Sequence, residues 1–531
     1  MTLKSNSCWA FFAGAMLCMA TPVQAQVEVP AGLDARVEQA MQSRDVPGMA
    51  ITIVKDGQLV QAKGYGVRRL GGTERVDADT IFPTGSTGKA VTAAALAILV
   101  DDGVLDWDDK VIDHLPDFRM YDSWVTREMT VADLLLHRSG LGLGAGDLLF
   151  IPRTSRSRAD IVRALRNIKP ATSFRSGYAY DNILYIVAGE LVTQLSGQPW
   201  ESFVRTRIFQ PLGMATAVSD EKDRFANPNR VQPHARLDAR LRGLGPQQLL
   251  PEREGLGQVG APAGGLSWSA KDFGRWIQGQ LALGGLPDGK GRVYSEASAR
   301  AMWTPQVPVP IRAFPAPIAD ITPQFSAYGY GWNVQDYRGV KVVQHGGAVF
   351  GVLTFVVLVP ERDLGIALQM NSEDVEIMRG LGYELLDHYL GFESRDWVGA
   401  FSSWNQERLA GGLKALNEMK GPARKTSRPS LSPDGYVGSY ADAWYGPITI
   451  VVQDGQLRID FKQTPNMAGT LDHWQYDTFR VGWDDASVEP AYVTFALNAE
   501  GKIASMTMKA VSPLADFSYD YQDLHFSPAG R

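Results

Sequence analysis

Three short stretches of this chain carry side chains suited to acyl transfer. In Phe82-Pro-Thr-Gly-Ser-Thr-Gly-Lys89, Ser86 and Lys89 stand three apart where a glycine-led loop enters a helix, so they share one face of its first turn. A serine hydroxyl is a weak nucleophile alone. An amine desolvated by packing can take its proton, and the positive helix end favours the anion that develops. Downstream, Tyr180-Asp181-Asn182 is the only Tyr-x-Asn of the chain. A phenol there can relay a proton, and the Asn182 amide can hold a substrate carbonyl. At His345-Gly346-Gly347-Ala348 the glycines let backbone approach a ligand closely, and the Ala348 amide can donate to an oxyanion.

Each motif also has a structural reading: Ser86 as a helix N-cap, Tyr180 as core with Asn182 capping the next helix, and His345-Gly346-Gly347 as a hairpin turn closing a strand. A chain of this length holds on the order of one Ser-x-x-Lys by chance. A second is indeed present at Ser219-Asp-Glu-Lys222, in a polar run read as a solvated loop. His137, in an apolar helical run, reads as a buried structural histidine.

The elements that must position these residues follow from periodicity. Met49 to Val67 predicts two strands around Asp56-Gly57, a strong hairpin signal. Helical periodicity follows over Thr87–Asp102, Thr130–Leu136, Ile183–Leu195 and Ala270–Leu283. Strands return at Val340–Gln344, Gly351–Val359 and Gly365–Met370, and Asp374–Leu390 closes this part as a helix. Strands at both ends with helices between predict an α/β fold: one sheet built from both chain ends, flanked by helices, with an inserted helical lobe. Beyond a helix-prone run, Trp404–Lys420, and a Pro- and Ser-rich linker, Gly421–Asp434, short β runs predict an all-β barrel or sandwich. Those runs are Tyr436–Tyr440, Ile448–Val452, Leu457–Phe461, Thr470–Val481, Tyr492–Leu497, Ile503–Lys509 and Phe517–Tyr521. The aromatics Trp444, Tyr445, Trp474, Tyr476 and Phe479 read as its core.

Composition narrows the functional classes. Of 531 residues, 45% are hydrophobic and 21% charged, as in a chain that folds around a core. The net charge of -6 removes the counterion-release drive toward nucleic acid or anionic lipid. Met1–Ala25, with Lys4, an apolar run from Trp9 to Ala20 and small residues at Val23 and Ala25, reads as a cleaved secretory signal; a run of 12 is short of the roughly 20 residues that span a bilayer. A periplasmic or secreted protein without a lasting membrane span is expected. Both cysteines, Cys8 and Cys18, lie in that segment, so the mature chain has no thiol nucleophile and no cysteine zinc site. Its seven histidines show no metal-ligand spacing, and neither metal nor cofactor is expected. The expected organisation is a signal peptide over 1–25, a hydrolase domain over 26–395, a helical segment and linker over 396–434, and an all-β domain over 435–531.

Taken in order, Ser86-x-x-Lys89, Tyr180-x-Asn182 and His345-Gly346-Gly347 resemble the three boxes of the serine β-lactamase and penicillin-binding-protein family, nearest its class C, esterase and D-aminopeptidase branch. Leu134–Leu141, Gln210–Met214, Ala263–Ser269 and Tyr328–Trp332 resemble landmarks of the same family. Tyr436–Phe526 resembles the lipocalin-like domain of some members, and linear-peptide hydrolases such as the enzyme that opens linearised microcystin share this organisation. The resemblance implies Ser86 as acyl-accepting nucleophile, Lys89 as partner base, Tyr180 as proton relay and Asn182 as the group that orients the substrate amide. It implies an oxyanion hole from the amides of Ser86 and Ala348. It leaves open which group deprotonates Ser86. The departure is at the third box, where β-lactamases and transpeptidases usually place Lys-Thr-Gly. That lysine typically holds a substrate carboxylate, which a histidine with a reference pKa of roughly 6.5 does weakly at neutral pH. The reading is therefore an exported serine hydrolase of short peptides or peptide-like amides. Its alternatives are a carboxylesterase or weak β-lactamase, and a non-catalytic receptor for cell-wall fragments. The β domain is expected to restrict the cleft or to mediate homo-oligomerisation. A chain ending at Met419 should then differ from the full chain in mass by light scattering or in substrate range.

Overall fold

Two strands from the start of the chain and one from near residue 370 form one end of the central sheet. Gly48–Lys55 and Gln58–Gly66 pair antiparallel across Asp56 (φ 52°) and Gly57 (φ 72°), the left-handed pair that a tight hairpin requires. Leu364–Met370 then lies against Gly48–Lys55, with Met49 opposite Met370 and Ile51 opposite Leu368. The full order is Gln58–Gly66, Gly48–Lys55, Leu364–Met370, Val352–Val359, Val340–Val349, Asn333–Tyr337, Ser326–Tyr328 and Val307–Pro308, every neighbouring pair antiparallel. The computed structural model describes residues 1–2, 28–252, 256–419 and 426–529. The signal segment from residue 3 onward, and residues 421–425 of the expected linker, lie outside the described residues.

Both sheet faces are covered, which the strand sequences dictate. In Val352–Val359 the side chains of Phe355, Val357 and Val359 enter one core with Val37, Ile377, Leu381 and Trp397. Those of Val356 and Leu358 enter the other, with Leu96 and Trp276. Helices Leu33–Ser43, Val375–Leu390 and Trp397–Glu418 cover the first face, and Ala270–Leu281 with the helical lobe covers the second. At the centre of that lobe, helix Lys89–Asp101 buries every residue from Lys89 to Leu99. Its run of alanines permits this, because a helix apolar on all sides is stable only when surrounded.

The last part of the chain is a closed barrel of eight antiparallel strands: Gly438–Asp442, Gly446–Gln453, Gln456–Asp460, Ala468–Gln475, Thr478–Trp483, Ala491–Leu497, Ile503–Ala510 and His525–Pro528. Three expectations fail here. Thr470–Val481 is two strands, because Tyr476 (φ 48°) and Asp477 turn the chain back on itself. Phe517–Tyr521 is not a strand: Phe517 to Asp520 form a loop that leaves the barrel and packs against the sheet-and-helix domain, and the closing strand is His525–Pro528. Trp444, Tyr445 and Phe479 are core, but Tyr476 is 60% exposed at the hairpin tip and Trp474 lies half-buried against Tyr492.

Of the helix-prone run Trp404–Lys420, residues 404–418 belong to helix Trp397–Glu418, and Lys420 lies outside the described residues. That helix docks on Val375–Leu390 so closely that a Cβ on Gly380 would sit 2.5 Å from Val398 Cα. Among the described residues no helix is long and apolar enough to cross a membrane. Gly380→Val should therefore force the two helices apart and cost about 1–3 kcal/mol, or more, of stability, read as a lower urea midpoint of the full chain.

Candidate active site

The site forms where the loop before helix Lys89–Asp101 meets the middle of strand Val340–Val349. Asn333–Tyr337 pairs with that strand only as far as Gln344, and the turn Gly85–Gly88 lies beside the residues beyond. Gly85 adopts φ 52°, and a Cβ there would come within 2.5 Å of Ala348 N. Gly347 is equally confined, its Cβ position 2.2 Å from Thr84 O. Thr354 and Thr87 both donate to that same oxygen, at 2.6 and 2.8 Å, and so fasten the turn to the sheet. Two backbones can approach this closely only where neither carries a side chain. The amides of Ser86 and Ala348 are thereby brought to one place. His345-Gly346-Gly347 does not end the strand as expected. It runs through it, and the hairpin turns at Phe350-Gly351.

Lys89 has no exposed surface, and its ammonium donates to Ser86 Oγ at 3.1 Å, Asn182 Oδ1 at 2.6 Å and the Ala263 carbonyl at 2.8 Å. The rings of Tyr180 and Tyr185 lie 4.9 and 5.2 Å from its nitrogen. Burial pulls its pKa down to about 7, with Asp147 and Asp181 opposing the shift. Burial drives the Tyr180 phenol well above its ordinary value, with Ser86 acting against the shift. The Tyr180 hydroxyl is enclosed yet has no hydrogen-bond partner of normal geometry. Asn182 precedes helix Ile183–Ser196 but does not cap it with its side chain. Its amide instead bridges Lys89 and Asp147, donating to Asp147 Oδ2 at 2.7 Å. Nor does Ser86 cap a helix.

Ser86, Tyr180, Asn182 and His345–Ala348 line one cavity of about 390 Å³, together with Arg379 and Phe517. His345 is buried, and both ring nitrogens are engaged: Nδ1 donates to the Gly346 carbonyl at 2.6 Å and Nε2 accepts from the Tyr328 hydroxyl at 2.9 Å. That pattern fits one neutral tautomer. Burial and the nearby Lys89 pull its pKa down to about 3, so the imidazole brings no cation to the cavity. His137, expected to be structural, is fully buried, with Nδ1 accepting from the Asp181 amide at 3.1 Å. Its ring packs under Tyr180 at 4.2 Å and so supports that phenol. The second Ser-x-x-Lys is not a solvated loop: Ser219 is buried and donates to the Glu201 carbonyl, while Lys222 is exposed on helix Glu221–Ala226.

The beta-lactamase family model matches residues 33–388, and a domain of unknown function, DUF3471, matches 422–528. The chain belongs to the beta-lactamase family. It is a serine hydrolase of that family. It is 31% identical over 430 residues to an unguisins hydrolase, ungD', of Aspergillus campestris, covering 78% of this chain and 76% of that one. It is 32% identical over 332 residues to penicillin-binding protein 4 of Amycolatopsis lactamdurans, covering 62% and 81%. The octameric penicillin-binding protein homologue from Pyrococcus abyssi shares the fold, with a TM-score of 0.58 at 19% identity over 93% of this chain and 98% of that chain.

In this beta-lactamase family member the cavity and the contacts around it also hold residues that motif reading did not find. Asp147 lies in the irregular stretch after Leu141, where no periodicity singles it out. Arg379 faces the cavity from helix Val375–Leu390; a cation among Met378, Leu381 and Tyr383 is the signal that could have found it. Phe517 and Ser518 come from the barrel, about 340 residues from Tyr180 in sequence, and no local pattern reports such a contact. His345 should keep its neutral Nδ1–H form from about pH 8 to about pH 5, seen as unchanged imidazole ¹⁵N shifts across that range.

Proposed function

We propose that this exported enzyme acylates Ser86 with short peptides or peptide-like amides that carry a free carboxylate, and releases the acyl group to water. The observation that carries the reading is the joining of a half-buried Ser86, bonded to a fully buried Lys89, and an unpaired guanidinium in one cavity. Near neutral pH Lys89 is partly the free amine, which takes the Ser86 proton as Oγ bonds to the substrate carbonyl carbon. The amides of Ser86 and Ala348 receive the oxyanion. Tyr180 stays protonated and relays a proton to the departing amine, while Asn182 holds the substrate amide. Water then adds to the ester carbonyl, and Ser86 leaves with its proton restored.

The anchor replaces the lysine of related third boxes. Arg379 makes no hydrogen bond or ion pair to a described residue; its guanidinium stacks on Phe355 at 4.2 Å and reaches within 2.9 Å of where a Gly346 Cβ would stand. A cation with no counter-charge, partly desolvated by burial, favours an anionic ligand. A relative named for hydrolysing unguisins supports the choice of peptides over β-lactams. An ester or β-lactam substrate remains the rival, favoured by the family's breadth.

Ser86→Ala should abolish turnover and fluorophosphonate labelling while the far-UV spectrum is unchanged; labelling that survives this change would remove Ser86 from the mechanism. In the unaltered enzyme kcat/KM should rise with pH through about 7, because protonated Lys89 cannot accept a proton. Arg379→Ala should raise KM about tenfold or more for carboxylate-bearing peptides and leave uncharged esters unaffected. A matched panel of peptide amides, esters and a penicillin decides the substrate class, with peptides expected to turn over fastest.

A further inference from the structure

Asp147 is a fully buried carboxylate with no arginine or lysine bound to it among the described residues. Its Oδ2 accepts from Asn182 Nδ2 at 2.7 Å and from Ser518 Oγ, on the barrel loop, at 2.8 Å, while Oδ1 has no partner. The turn that carries it is gripped by a second buried barrel carboxylate. Asp520 accepts from the backbone amides of Gly146 and Leu148, at 2.7 and 3.0 Å. The loop backbone closes the grip, since a Cβ on Gly144 would lie 2.6 Å from the Phe517 carbonyl. A continuous chain of hydrogen bonds thus runs from Ser518 through Asp147 and Asn182 to Lys89 and Ser86.

The chemistry of an amide makes that chain directional. Asn182 has a donor end and an acceptor end, and only the acceptor suits an ammonium. Rotated by half a turn, Asn182 would point its NH₂ at Lys89 and its carbonyl at Asp147, placing donor against donor and acceptor against acceptor. Asp147 as acceptor therefore holds Asn182 Oδ1 toward Lys89, and the Ser518 hydroxyl holds the carboxyl in that orientation. The charged and titratable groups facing Asp147 are Lys89 and Tyr180 from the hydrolase domain, and Asp516 and Asp520 from the barrel. Those facing Lys89 are Asp147, Asp181, His137, His345, Tyr180 and Tyr185. Burial raises the Asp147 carboxyl, and the Asn182 and Ser518 hydrogen bonds together with Lys89 act against that shift, so its ionised form depends on those contacts.

Resting on the acyl-enzyme reading above, we propose that Asp147 and Ser518 are positioning residues for the Ser86–Lys89 pair, so that the barrel is a working part of the active site rather than a cover over it. Their effect reaches the nucleophile through Asn182: orientation sets the attainable rate, and the charge on Asp147 sets the pH at which Lys89 becomes a free amine. A negative Asp147 favours protonated Lys89, so removing or weakening that charge moves the onset of reactivity to lower pH. Loss of the Ser518 hydrogen bond acts in the same direction, because that bond favours the ionised carboxylate.

The test is the pH profile of fluorophosphonate labelling at Ser86 in the full chain, followed by intact mass, which needs no knowledge of the natural substrate. Ser518→Ala should lower the plateau rate by about tenfold and shift the midpoint acidward. Ser518→Thr, which keeps the hydroxyl, should restore both, and Asp147→Asn should shift the midpoint in the same direction. Wild-type plateau and midpoint in Ser518→Ala would overturn the proposal, and that variant alone decides should Asp147→Asn fail to fold. No labelling of Ser86 in the folded wild-type enzyme would overturn the acyl-enzyme reading and this proposal with it.

Discussion

A lysine ammonium stripped of water is the constraint to which the rest of this structure answers. Lys89 can lie with no exposed surface only because three acceptors meet its three donors and two aromatic rings shield what remains. Each acceptor comes from a different place in the chain: Ser86 from the turn before the helix, Asn182 from the start of Ile183–Ser196, and Ala263 from a segment that closes over the helix. The helical lobe has to bring these together, and its alanine-rich central helix lets the neighbouring segments come close enough. A better-solvated amine would keep its proton near neutral pH.

The second constraint is the close approach of the Ser86 and Ala348 amides. Gly85 and Gly347 permit it by letting a turn and a strand touch backbone to backbone, with Thr354 and Thr87 fastening them at the Thr84 carbonyl. Here the sheet is more than scaffolding. Because Asn333–Tyr337 stops pairing at Gln344, the stretch His345–Val349 is left for the turn that carries Ser86 rather than for another strand. The histidine of the third box is then turned inward and neutral, and the positive charge facing the cavity comes instead from Arg379 on a helix across the sheet.

The barrel joins the same network. Its loop from Asp516 to Asp520 reads in sequence as one more strand, since Phe517, Tyr519 and Tyr521 alternate with polar residues. Alternation cannot tell a strand from an extended loop whose alternate side chains face another domain. Phe517 turns to Tyr180 and Tyr519 to the interface, and the two aspartates that look like exposed strand residues include Asp520, which is fully buried. The run Thr470–Val481 misleads for a related reason: the Tyr476-Asp477 turn has no glycine or proline to announce it.

Local chemistry and period are legible in the sequence alone. The hairpin at Asp56-Gly57, the helices that begin at Lys89, Ile183 and Ala270, the sheet assembled from both ends of the domain, and the three boxes holding Ser86, Lys89, Tyr180, Asn182 and His345–Ala348 can all be read there. Each rests on residue type and spacing within one element. What the tertiary structure decided is everything that depends on which surfaces meet: that Lys89 is dry enough to lose its proton near neutrality, that His345 is held neutral, that Arg379 faces the same cavity as Ser86, and that Asp147 is tied to Asn182 on one side and Ser518 on the other. Burial and the meeting of charges are properties of packed surfaces, and residues hundreds of positions apart leave no mark of them in the local pattern.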